Sequence, residues 1–232
     1  LHIYFTTASV GEILEANQRI LRAFGLGAKD VWLSEFNASP RRDPAAAIGT
    51  PFQVSLEQQA DFVVQAAAIA LAEGVDRMAV YRLWDNDFVP GQTEPWGLLR
   101  ADGSQRPAFF AYQQVIQRMN GAGQITHVQR GGAEMVMFQF ADRTLYALWS
   151  SGVDAGEFVI NAADVAAAGV VDAARNPVSV PIVDGRAVIP APGAEMIDMD
   201  FVVVAGAVRI IELPGAPRSV SYRNGAGTTV LY

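Results

Sequence analysis

Glu35 is the residue whose type and place most readily do chemistry. It ends the apolar run Val31-Trp32-Leu33-Ser34-Glu35-Phe36, ahead of a loop with Asn37 and Pro40, so a strand delivers a carboxylate to a loop. In parallel α/β folds the C-terminal strand ends face the site. A carboxylate there can attack an anomeric carbon and later leave from the glycosyl ester. It can equally cap the next helix or pair with an arginine, and spacing alone leaves the two readings level. His2 and Tyr4, on the run of residues 1–5, can donate hydrogen bonds to that carboxylate or serve as ordinary strand residues. Trp84 can stack on the C–H face of a sugar or pack into a core. Asp85 and Asp87 can bind sugar hydroxyls or face solvent, and Trp96 lines an outer subsite or packs on its loop. His127 takes no role.

These residues fall on alternating strand and helix patterns over residues 1–122. Strands are expected at 1–5, 31–36 and 78–84. Ser9 with Glu12, and Ser55 with Gln58, have the spacing of capping boxes, in which each side chain satisfies the other's free backbone donor. The first helix places Ile13, Leu14, Leu21 and Phe24 on one face, and Gly25 can supply its left-handed stop. The second buries Ala60, Val63, Val64, Ala67, Ala68 and Leu71. The third opens on Pro107 and carries Phe109, Tyr112, Ile116 and Met119. Three strand–helix units imply parallel strands, too few to close a barrel, which needs eight strands and roughly 250 residues. They read as the last units of a larger barrel or as a small open sheet.

From about residue 123 the pattern changes to short β runs at 135–140, 144–150, 157–161, 187–190 and 201–212, separated by turn signals such as Asp184-Gly185 and Pro192-Gly193. Residues 162–168 suit a single helical turn. The fold class is therefore α/β plus all-β, with an antiparallel β-sandwich over 123–214. Residues 215–232 are rich in Gly, Pro and Ser and read as a linker or tail.

Composition narrows the functions. The 232 residues are 51% hydrophobic and 18% charged, enough for an extensive core. A net charge of −7, with only short basic clusters such as Arg41-Arg42, argues against a nucleic-acid surface. There is no cysteine, which excludes disulfides and thiolate metal sites. The longest apolar stretches reach about half of a membrane span. The chain opens on Leu1 in a strand-like run, so any signal peptide would lie upstream.

Val31-Trp32-Leu33-Ser34-Glu35-Phe36 resembles the seventh strand of the clan A glycoside hydrolases, a TIM (β/α)₈-barrel superfamily of cellulases, mannanases, β-xylosidases and β-glucosidases. Asn37 stands where that pattern usually has glycine. His2-Ile3-Tyr4 resembles the sixth strand, whose His and Tyr line the sugar subsite beside the nucleophile. Tyr81-Arg82-Leu83-Trp84-Asp85 resembles the eighth, whose Trp forms the subsite floor. Trp96-Gly97-Leu98-Leu99 and Gly103-Ser104-Gln105-Arg106-Pro107-Ala108 resemble the run leading into the eighth helix.

The resemblance covers residues 1 to about 120. It implies strands six to eight of a barrel, Glu35 as nucleophile, and His2, Tyr4, Trp84, Asp85 and Trp96 as substrate-binding residues. It also implies a carbohydrate substrate, no metal or cofactor, and an extracellular or periplasmic setting. The β half resembles the accessory sandwich that follows the barrel in many such enzymes. A retaining mechanism needs a second carboxyl about 5–5.5 Å from the nucleophile. In this clan it follows an Asn at the end of the fourth strand, and no strand here matches it. Glu12, Glu57 and Glu73 fall on helices and Glu94 on a loop. The chain alone is therefore expected to be inactive. Two alternatives stay open: a non-catalytic carbohydrate-binding barrel, and an unrelated open α/β domain in which Glu35, His2 and Trp84 do not converge.

Overall fold

A computed structural model describes residues 1–4, 6–40, 42–44, 54–85, 87–89, 92–93, 95–164, 169–197 and 202–232. Phe5, Arg41, Glu94, Phe201, the side chain of Asp87 and the latter part of the expected turn at 162–168 lie outside the described residues.

Three strands, β1 (His2–Tyr4), β2 (Trp32–Asn37) and β3 (Arg77–Val80), form a parallel sheet with β2 in the middle. The register sets His2 opposite Glu35. Helix α1 (Thr7–Ala23) joins β1 to β2, α2 (Leu56–Ala72) joins β2 to β3, and α3 (Pro107–Gln114) follows, continued by a π turn at Val115–Met119.

The helix ends explain themselves locally. Thr6, not Ser9, caps α1: its hydroxyl accepts the Ser9 amide at 3.4 Å, so the helix starts earlier than the Ser9–Glu12 spacing predicts. At the other end the Gly25 amide returns to Arg22 O and the Leu26 amide to Leu21 O, with Gly25 at φ 71°. The buried face of α1 is Thr7, Val10 and Leu14, with Leu21 packed against the core. Ile13 and Phe24, expected on that face, point outward, and Phe24 is 77% exposed. The Ser55–Gln58 capping box forms as expected.

Helix α2 is buried at every position from Gln59 to Ala70, the pattern of a helix surrounded by protein. The π turn displaces the last face of α3: Val115 and Met119 go inward while Ile116 is left 55% exposed.

The second half is a sandwich of two antiparallel sheets. One has six strands in the order Pro177–Val178, Val170–Val171, Arg209–Pro214, Arg143–Ser150, Ala133–Gln139 and Gln124–Arg130. The other has five, in the order Ile182–Val183, Arg186–Ala191, Gly156–Asn161, Val220–Asn224 and Gly227–Val230. Residues 215–232 are thus no tail: two strands close the second sheet, and Val220, Tyr222 and Leu231 enter its core. Their alternation was hidden by flanking Gly and Pro, which here make the turns.

The six-stranded sheet is buried on both faces along its central strands. Met135, Met137, Tyr146 and Leu148 pack against Phe158, Ile160 and Ile189 of the partner sheet. Val136, Phe138, Leu145, Ala147 and Trp149 join the core of the parallel unit. Ala133–Gln139 consequently reads as a continuous apolar run, as strands covered on both sides do.

Polar side chains satisfy the backbone at this junction. Gln65 Nε2 donates to Gly206 O at 2.8 Å, Asp61 Oδ1 accepts the Val208 amide at 2.9 Å, and Gln114 Nε2 donates to Ala173 O at 2.7 Å. His127 sits there too, with Nε2 3.4 Å from Glu134 Oε1. Among the described residues no helix is long and apolar enough to cross a membrane.

Candidate functional site

Glu35 lies near the C-terminal end of the central parallel strand, at an irregularity. Three steps of β2, from Leu33 to Phe36, oppose only two of β3, from Met78 to Val80. Such a bulge bends a strand and re-aims the side chain it carries. The Glu35 side chain is 31% exposed. The Tyr4 hydroxyl donates to Glu35 Oε2, and His2 Nδ1 stands 3.0 Å from the same oxygen. Both partners come from β1, whose register with β2 brings them alongside. Among the described residues Oε1 carries no such contact.

Three rings cluster at Tyr4, the residue that holds this carboxylate. Trp96 meets Tyr4 edge-on with centroids 5.2 Å apart, Tyr81 meets Tyr4 at 6.3 Å, and Tyr81 meets Trp96 at 6.2 Å. Edge-to-face pairs of this kind are worth about 0.5–1.5 kcal/mol beyond the area they bury. Strand β3 stops at Val80, four residues short of the expected end, so Tyr81 opens from the strand end beside Tyr4. Trp84 falls further on. Its indole N–H donates to Ala101 O at 3.3 Å, the residue is 54% exposed, and it makes no aromatic contact among the described residues. The structure therefore brings together His2, Tyr4, Glu35 and Trp96 and adds Tyr81, while Trp84 makes no contact with this group among the described residues.

Asp85 is not offered to a ligand. It is 3% exposed, its Oδ2 accepts Arg106 Nη2 at 2.7 Å, and its Oδ1 accepts the Gly97 amide at 2.6 Å. Arg106 is buried in turn, donating through Nε to Asp43 Oδ2 at 2.9 Å and through Nη1 to Gly97 O at 2.7 Å. Arg100 Nε reaches the same Asp43 oxygen at 2.8 Å. Two guanidiniums thus balance two carboxylates, and the fork of Arg106 bridges both of them. What this network holds is the turn after Trp96. Position 97 admits only glycine there, because a Cβ would lie 2.3 Å from Leu99 O and 2.5 Å from the Asp85 amide nitrogen.

Asn37, two residues beyond Glu35, is fully buried. Its Nδ2 donates to Tyr81 O at 2.5 Å and to Trp96 O at 2.7 Å. Its Oδ1 accepts the Ala38 amide at 2.8 Å and Gln59 Nε2 at 3.3 Å. In the sequence Asn37 stands out only as a departure from glycine, and Tyr81 only as part of a longer motif. Neither role has a local signature, because each depends on where β3 ends. Among the described residues no group of three or more His, Asp or Glu could hold a metal ion.

No family model matches the chain, and no curated protein matches it in sequence. Solved structures do match in fold. A family 39 glycoside hydrolase from the gut symbiont Bacteroides cellulosilyticus WH2 superposes with a TM-score of 0.58 at 15% identity, over 87% of this chain and 37% of its own. A glucosidase from Croceicoccus marinus gives a TM-score of 0.53 at 14% identity, over 93% of this chain and 53% of its own. The chain spans between about a third and about a half of these proteins' lengths. At such identity the likeness shows the fold: this chain shares the architecture of part of these glycoside hydrolases.

Proposed function

We propose that the chain is the C-terminal part of a retaining O-glycoside hydrolase acting on a polysaccharide or oligosaccharide, with Glu35 as the nucleophile. The observation that carries this reading is the carboxylate near the end of the central parallel strand, with Tyr4 and His2 both on Oε2 and Oε1 without such a contact among the described residues. Residues 1–122 then correspond to strands six to eight of an eight-stranded barrel, and residues from 123 onward to its accessory sandwich. The barrel's other strands, and the acid/base carboxyl they bring, belong to the intact protein. The fold shared with glycoside hydrolases supports the same reading.

The chemistry follows from the geometry. Tyr4 and His2 fix Oε2, so Oε1 is the oxygen left to attack the anomeric carbon. As that C–O bond forms, the glycosidic C–O bond breaks and the leaving oxygen takes a proton from the acid/base carboxyl. Water, deprotonated by the same carboxylate, then attacks the anomeric carbon and releases Glu35 with net retention. Tyr4, Tyr81 and Trp96 wall the sugar on one side, where C–H faces meet rings. Asp85 binds no sugar hydroxyl in this scheme, because both its oxygens are taken.

The test is made on the intact protein. Glu35→Ala abolishes turnover while the protein still melts cooperatively, and a fluorinated glycosyl donor labels Glu35 covalently in the unaltered enzyme. Full turnover in the variant, or a label on another residue, overturns the assignment. Sugar binding without turnover in the intact protein points instead to a carbohydrate-binding barrel.

A further inference from the structure

We infer that Asn37 is a positioning residue of this site: its buried amide pins the main chain of Tyr81 and Trp96 so that their rings brace Tyr4 against Glu35. The inference rests on the nucleophile reading of Glu35.

An amide side chain offers two N–H donors and an oxygen with two lone pairs, and Asn37 uses all four. The partners come from four separate elements: the residue after β3, the loop carrying Trp96, the chain leaving β2, and α2 through Gln59. Trp96 O also accepts the Arg82 amide, at 3.4 Å. On the far side of Trp96 the chain is held by Asp85 and Arg106 at Gly97. The indole is thus bracketed, and Asn37 is the bracket on the Glu35 side.

The path to chemistry is short. Trp96 and Tyr81 contact Tyr4, and the Tyr4 hydroxyl holds Glu35 Oε2. Without the two donors, Tyr81 O and Trp96 O each lose a hydrogen bond and the loop is free to shift. Small displacements of groups around a nucleophile reduce rates steeply, because attack depends on a near-attack geometry. A glycine at this position would leave the same two carbonyls to find other donors, so this chain carries an arrangement of its own here.

The informative variant is Asn37→Asp in the intact enzyme, followed by covalent labelling of Glu35 with a fluorinated glycosyl donor and by hydrolysis of an aryl glycoside. The side chain has nearly the same shape, so the folded state survives where burial keeps the acid protonated with one donor. Once ionised it turns an oxygen toward each carbonyl.

The expected result is a kcat/KM about 10- to 100-fold below that of the unaltered protein. The deficit widens as pH rises, which a purely structural role would not produce in the kinetics of the folded fraction. Both the binding constant for labelling and its maximal rate worsen, because wall and nucleophile are disturbed together. Asn37→Ser, which keeps one donor at all pH values, is expected to show a loss that does not change with pH.

Unchanged kcat/KM per folded molecule in either variant overturns the inference, and so does a deficit in Asn37→Asp that is flat with pH. Failure of both variants to fold also counts against it, since Asn37 would then serve the core and not the site. Glu35→Ala separates the two levels. If that variant is inactive while the Asn37 variants are normal, only this inference falls. If it retains turnover, the nucleophile reading falls as well.

Discussion

Asp61 lies on α2 at the junction with the sandwich, 7% exposed, with Oδ1 accepting the Val208 amide at 2.9 Å. It borders a cleft of about 200 Å³ shared with Glu57, Asp172 and Arg209. Burial pushes its carboxyl up from the ordinary 3.8 to about 7, against the opposing pull of the Val208 amide and Arg209, and Asp172 and Glu57 add to the rise. The protonated form is therefore favoured in the folded state. Stability from this group is fully present below pH 3.8 and is lost as pH rises through about 7. The interval from 3.8 to about 7, at about 1.36 kcal/mol per pH unit, gives a cost of about 4 kcal/mol once both states are ionised.

Asp61→Asn keeps the acceptor for Val208 and removes the charge. Urea unfolding of both proteins at pH 5 and pH 8 measures the difference directly. The variant gains on the unaltered protein by about 3 kcal/mol between the two pH values, because part of the cost is already incurred at pH 5. A difference that stays constant over this range would mean that the carboxyl is ionised in the fold, and the argument from burial would be wrong.

Three further outcomes follow from contacts already described. Arg106→Met leaves Asp43 and Asp85 buried without their shared cation, and a loss of about 3–5 kcal/mol is expected in the same urea assay. A change below about 1 kcal/mol would show that water replaces the guanidinium. Tyr4→Phe keeps the ring against Trp96 and removes only the hydroxyl on Glu35, so in the intact enzyme kcat/KM is expected to fall about tenfold or more with an unchanged melting temperature. Deleting residues 215–232 strips Val220, Tyr222 and Leu231 from the sandwich core. At about 1.5–3 kcal/mol per side chain, thermal melting should register a loss of at least 4 kcal/mol, roughly, or no folded protein.

The elements that were legible in the sequence are those whose signals are local. The Ser55–Gln58 box, the Gly25 stop and Pro107 at the head of α3 each act over a few residues, and each stands where it was expected. The convergence of His2 and Tyr4 on Glu35 was visible only through resemblance, since the register that brings them together is a pairing across 31 residues. Trp84 and Asp85 were assigned by assuming that β3 runs through residue 84. It ends at Val80, which moves Tyr81 to the site and sends Asp85 into an ion-pair network. Ile116 was misplaced because a π turn breaks the 3.6-residue period from which its face was read. The last hairpin, with its Gly-rich turn, carries the composition of a linker, and only the pairing of Val220–Asn224 with Gly156–Asn161 makes it a strand.

The doubly covered sheet bears on how such a protein can change by recombination. Phe138, Leu145 and Trp149 of the sandwich would become solvent-facing if the two halves were separated, and the apolar side of α2 would be bared with them. Neither piece is a self-sufficient cassette. Chimeras that exchange one half for a distant relative's should be insoluble unless both sides of the seam are swapped together, so the two halves are expected to be inherited as a single unit.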